Sequence, residues 1–111
     1  MADHFFSHES TAKIRRLKEL KPEIFKSFFD FDHKVFADGA IDRKTKELIA
    51  VGIAHITQCP WCVDAFFVWA STAGASDAEI AETTFVAMAM AAGAAWSHGG
   101  LALQCLQEHK G

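Results

Sequence analysis

Apolar residues recur every three or four positions along most of the chain, the spacing that puts them on one face of a helix. In residues 11–20, Ile14, Leu17 and Leu20 share such a face. Pro22 suits the first turn of a second helix, which carries Ile24, Phe25, Phe28, Phe29, Phe31 and Val35 until Asp38-Gly39 breaks it. Asp42 is placed to cap a third helix that runs through Glu47 to Ile56 or Thr57. Pro60 fits position N1 of a fourth, over residues 61–72, ending near Gly74. Ser76 with Glu79 three residues later has the form of a capping box and opens a fifth helix. A break or kink at Gly93 or at Gly99-Gly100 then separates a last helix containing Leu101, Leu103 and Leu106. No segment alternates with the period of a strand, so the pattern predicts an all-α domain of about six helices spanning residues 1–111.

Composition adds an expectation about assembly. Half of the 111 residues are apolar and ten are Phe, more than one small globule hides easily, and the excess predicts a subunit interface. Residues 85–96 are Ala-rich, shorter than the roughly 20 residues a bilayer demands, and followed by Ser97, His98, Gly99 and Gly100, which predicts a buried helix and no membrane span. Its small residues, among them Ala87, Ala91, Gly93 and Ala95, suit either a tight core or a close helix–helix interface. The formal net charge of -3 argues against nucleic acid as a partner, because the two basic patches around Arg15 and Lys44 sit among acidic residues. Met1 to Phe6 show neither a basic nor a long apolar leader region, so a cytoplasmic protein is expected, where cysteines stay reduced unless they are catalytic or bind metal.

The chemistry concentrates in Cys59-Pro60-Trp61-Cys62. With Cys59 as N-cap and Pro60 at N1, Cys62 falls at N3, and residues three apart on a helix are neighbours, so the sulfurs can reach bonding distance. The free N–H groups and dipole of that helix end favour an anion, and cysteines so placed titrate at roughly 3.5–7.5 against about 8.5 for a free thiol. The pair therefore reads as a redox couple, with a zinc half-site or two packed cysteines as alternatives. Zinc needs four ligands, and His55, His98 and Cys105 have no finger-like spacing to supply the rest. Cys105, among Leu101, Leu103 and Leu106, reads as a buried apolar residue.

A thiol site also needs a proton acceptor. Glu47 and His55 are eight residues apart on the third helix, about 80° from the same face. A turn after Thr57 would bring His55 beside the cysteines. The local alternative for Glu47 is an exposed carboxylate paired with Arg43, and for His55 a hydrogen-bonded core histidine. His98 stands open to the same two readings.

Glu47, eleven intervening residues, then the CPWC pair resembles the signature of the AhpD-like alkylhydroperoxidases of the carboxymuconolactone decarboxylase superfamily. The similarity runs over residues 41–103 and includes Lys46 to Ala50, Ala54 to Gln58, the Ala73-Gly74-Ala75 turn and Gly93 to His98. The resemblance implies an all-α fold assembled as homotrimers or homohexamers, and reduction of hydroperoxides through a dithiol/disulfide cycle. Carried over by position, Cys62 would be the peroxidatic cysteine, Cys59 the resolving one, and Glu47 part of the proton relay. A dithiol donor, a lipoyl or thioredoxin-like protein, would return the pair to thiols; no cofactor is called for. The decarboxylase branch is disfavoured because it generally lacks the CxxC.

One departure matters. The family motif usually has histidine four residues after the second cysteine, and here that residue is Phe66. His55, His98 or Asp64 would have to substitute. Otherwise the chain is a disulfide reductase or peroxide sensor, a helical oligomer whose cysteines bind metal, or one with a small-molecule pocket near His55 and Trp61.

Overall fold

The computed structural model describes residues 8–111, so the reading of Met1 to Phe6 lies outside the described residues. Five helices follow one another: α1 (His8–Leu20), α2 (Pro22–Phe36), α3 (Arg43–Thr57), α4 (Pro60–Thr72) and α5 (Asp77–Lys110). No strand occurs among the described residues, and the fold is all-helical. The local signals for helix starts hold. Asp42 Oδ1 accepts the Thr45 N–H at 2.8 Å, Ser76 and Glu79 close a reciprocal capping box, and Pro22 and Pro60 sit in first turns where a missing N–H costs nothing.

The end of α2 is stitched to α3 by one side chain. Lys46 Nζ donates to the carbonyls of Val35 and Ala37 at 2.7 and 2.6 Å, satisfying acceptors that a helix terminus leaves open. Asp38 Oδ1 takes the Arg43 N–H at 2.7 Å, closing the same corner from the other side. α3 is the centre of the packed body and lies against both α4 and α5, whereas α1 touches only α2 among the described helices. The core is small: Val51, Ala70, Ala75 and Ile80, with Leu48 and Phe66 packed on it. Gly52 lets α5 approach α3 closely, since a Cβ there would lie 3.2 Å from the Thr83 methyl. Lys44 and Glu79 bridge the same two helices at 2.8 Å.

Three expectations are corrected by α5. It is a single uninterrupted helix of 34 residues, so the break placed at Gly93 or Gly99-Gly100 does not occur and five helices stand where about six were expected. Glycine keeps its N–H and so leaves the hydrogen-bond ladder whole; its cost of about 1 kcal/mol in a helix is offset here by flanking alanines, the best helix formers. Residues 85–96, Ala87 apart, are exposed within the chain. Ala87 is the last buried position of α5, and Trp96 is 84% exposed. The tight-core reading of the small residues fails with it, because α3 and α4 end before they can cover this half of the helix. Cys105 is likewise exposed.

The result is an elongated body, 57 × 33 × 33 Å, with a radius of gyration of 18.8 Å. A compact chain of this length has about 13 Å. Continuous α5 is also long and apolar enough to cross a membrane, by length and composition alone.

Candidate functional site

α3 turns into α4 through two residues. Gln58 adopts the left-handed conformation (φ 55°) and returns its N–H to the Ala54 carbonyl, and the Cys59 N–H reaches that same carbonyl at 3.2 Å. Cys59 then caps α4: its sulfur accepts the Cys62 N–H at 3.3 Å. Cys59 is thus held at both ends, by α3 through its backbone and by α4 through its side chain. The two sulfurs are joined as a disulfide, with Cα atoms 5.2 Å apart, and both residues are half-buried. The amide that serves this end of the helix dipole points at Cys59, a detail that the spacing alone does not give.

Glu47 lies on the buried stripe of α3 with Val51 and Ala54, and is 1% exposed. Its partner is the one the local sequence suggests, Arg43 Nε at 3.5 Å from Oε1, but its setting is not an exposed surface. Oε2 is buried with no hydrogen-bond partner. Burial pushes the carboxyl's pKa up, Arg43 pulls it down, and the charge of Asp32 on α2 pushes it up again. Glu47 is therefore inclined to hold a proton that an exposed glutamate would release.

His55 is half-buried in the last turn of α3. Nδ1 lies 2.7 Å from the Val51 carbonyl, which can only accept, so Nδ1 carries the proton. In the neutral ring Nε2 is then an acceptor, and it faces Thr84 Oγ1 of α5 at 3.5 Å. The Thr84 hydroxyl also reaches the Ile80 carbonyl at 3.3 Å, and its one proton can serve only one of the two at a time. Thr84 and Asp32 were not legible as site residues, because each acts across helices and neither sits in a local pattern with its partner.

His98 stands three turns beyond Ala87, exposed, with Nδ1 donating to Ala94 O at 3.0 Å. A single chain does not gather it into the packed region. The side chain of Asp64 lies outside the described residues. Phe66 belongs to the aromatic packing: its ring is 5.3 Å from Phe36 and 4.9 Å, edge-on, from Trp69. No group of three or more His, Cys, Asp or Glu side chains gathers to hold a metal ion among the described residues.

Residues 22–104 match the carboxymuconolactone decarboxylase family. A protein of Paracoccus denitrificans known as uncharacterized protein 4 in cox locus is 41% identical over 103 residues, 93% of each chain. Among solved structures, a carboxymuconolactone decarboxylase family protein of Legionella pneumophila is 32% identical, with a TM-score of 0.69 over 74% of this chain and 73% of the other. A protein of Methanobacterium thermoautotrophicum is 30% identical, with a TM-score of 0.72 over 76% of this chain and 94% of its own. A family protein of Thermotoga maritima, suggested to act in an antioxidative response, is 36% identical, with a TM-score of 0.55 over 57% of this chain and 65% of its own.

Proposed function

The chain belongs to the carboxymuconolactone decarboxylase family, in its AhpD-like form, and from that premise we propose that it is a thiol-dependent peroxidase working through Cys59 and Cys62. The observation that carries the reading is the joined sulfur pair at the amino end of α4, with an amide aimed at one of the sulfurs. The reduced pair has what peroxide reduction needs: a thiolate favoured by a helix terminus and a second thiol within bonding reach.

In this reading the Cys62 thiolate attacks the terminal oxygen of a hydroperoxide. An S–O bond forms, the O–O bond breaks, and the alcohol departs with a proton, leaving Cys62 as a sulfenic acid. The Cys59 thiol then attacks that sulfur: the S–S bond forms, the S–O bond breaks, and the hydroxyl leaves as water with the proton of the Cys59 thiol. An external dithiol restores both thiols by exchange, itself becoming a disulfide. Glu47, buried and inclined to keep its proton, supports a role as the acid that serves the departing alkoxide. His55, with Nδ1 tied to Val51, offers Nε2, which faces Thr84, as a candidate base.

Stopped-flow mixing of the fully reduced protein with cumene hydroperoxide tests this. One equivalent of peroxide should be consumed with loss of two thiols. Cys62→Ser should lower the rate at least about a hundredfold, and Cys59→Ser should stop at a trappable sulfenic acid. A Cys62→Ser protein as fast as the parent would falsify the assignment. A second reading, a disulfide reductase or peroxide sensor, is favoured by the apolar Phe66 where the family motif carries an imidazole. It requires fast exchange with dithiols and slow consumption of peroxide in the same experiment.

A further inference from the structure

α5 comes close to α3 at one turn, and two adjacent threonines make the contact. Gly52 has no side chain where a Cβ would lie 3.2 Å from the Thr83 methyl, so the two helices approach there. Thr83 is fixed by its own hydroxyl, which donates to the Glu79 carbonyl at 3.0 Å. The next residue, Thr84, brings its hydroxyl to His55, one turn beyond Gly52, with Oγ1 3.5 Å from Nε2.

The ring is bonded to uncharged groups on both sides. Nδ1 donates to the Val51 carbonyl at 2.7 Å, a bond that is the same whether the ring is neutral or protonated. Nε2 differs, because it accepts in the neutral ring and donates in the protonated one. Lys44 and Glu79, the charges that tie α3 to α5, are paired with each other at 2.8 Å, and Lys44 lies about three turns before His55.

Thr84 can meet both demands of Nε2. A hydroxyl has one proton to give and lone pairs with which to receive. Its neighbours are Nε2 at 3.5 Å and the Ile80 carbonyl at 3.3 Å. That carbonyl already takes the Thr84 N–H of the helix ladder, so it loses little when the hydroxyl proton turns away. Half-buried Nε2 has no second hydrogen-bond partner among the described residues, so the neutral ring draws the hydroxyl proton to itself. When Nε2 carries a proton of its own, the hydroxyl turns to Ile80 and offers a lone pair instead. Only rotation about the Cβ–Oγ1 bond separates the two arrangements, and no heavy atom moves.

We infer that Thr84 is a positioning residue for His55: its rotating hydroxyl bonds Nε2 in both protonation states, so the ring gains and loses a proton in place. The use of this in catalysis rests on the peroxidase reading, in which a base takes a proton as Cys62 ionises and gives it up before the next turnover.

Nitrogen-15 correlation spectra of the full reduced chain, together with its rate on cumene hydroperoxide, test this with Thr84→Val and Thr84→Ser. Valine keeps the branched shape and removes the hydroxyl, whereas serine keeps the hydroxyl. The neutral ring of the parent should carry its proton on Nδ1. Thr84→Val should keep that proton but move the Nε2 resonance in both the neutral and the protonated ring. Its peroxide rate should fall about tenfold at unchanged helical circular dichroism, part of what a positioned acid–base group supplies. Thr84→Ser should return both the resonance and the rate towards the parent. An Nε2 resonance that does not move in Thr84→Val, or a serine variant that behaves as the valine one does, overturns the proposal. So does a Thr84→Val protein as fast as the parent when Cys62→Ser is slow. If Cys62→Ser is itself as fast as the parent, the peroxidase reading fails, and the Nε2 resonance alone decides the role of Thr84.

Discussion

Arg43 and Glu47 stand one turn apart on α3 with Nε 3.5 Å from Oε1, and the pair straddles the surface. The guanidinium side faces water while the carboxylate is sealed beneath it, with Oε2 unpaired. The ion pair moderates the cost of that burial without abolishing it.

The first prediction concerns pH. Burial raises the pKa of Glu47 above its ordinary value of 4.5, against the opposing pull of Arg43. Between the unfolded and folded values the native state holds a proton that the unfolded chain has released. The group's contribution to stability is therefore complete below the ordinary value and is lost as pH rises through the raised one. Glu47→Gln mimics the protonated form at every pH. Its Tm relative to the parent should climb, by calorimetry, as pH rises from the ordinary value of 4.5 through the raised one. A difference that stays flat over this range contradicts the assignment.

Phe66→His restores an imidazole at the position where the family motif carries one. The ring leaves an aromatic cluster with Phe36 and Trp69, so the variant should lose about 1–3 kcal/mol in urea unfolding. If the peroxidase reading holds, its rate with hydroperoxide should rise by at least about tenfold, within the usual reach of a positioned acid–base group. Lost stability with no gain in rate would favour the disulfide reductase or sensor.

The left-handed Gln58 gives a paired prediction. Gln58→Gly should stabilise by about 0.5–1 kcal/mol, since glycine adopts this conformation without strain. Gly74, at φ 100°, is the mirror case: Gly74→Ala should cost about 1–2 kcal/mol although nothing crowds the new methyl. Matched urea curves with unchanged m values decide both. Gln58→Gly that unfolds earlier would show that the Gln58 side chain holds the turn.

Helix starts were legible because their signals are local: Asp42, Pro60 and the Ser76–Glu79 box each act within one turn. The proximity of Cys59 and Cys62 was legible for the same reason. The continuity of α5 was not, because glycine permits a break without requiring one, and here nothing packs on Gly99 or Gly100 to bend the helix. Nor was the burial of Glu47, whose neighbours Arg43, Lys44 and Lys46 read as a solvated face; it lies instead on the buried stripe of α3 with Val51 and Ala54. Thr84 needs α5 laid across α3 before it meets His55. What acts within a turn can be read along the chain, and what acts across helices cannot.

The ring closed by Cys59 and Cys62 spans only four residues, and such a ring removes little freedom from the unfolded chain, about 2 kcal/mol of loop entropy. Opening it leaves in place the corner built by the left-handed Gln58 and the Ala54 carbonyl, which involves no sulfur bonding. In the proposed thiol cycle, opening and closing the pair would therefore shift the folding equilibrium by no more than that small loop term.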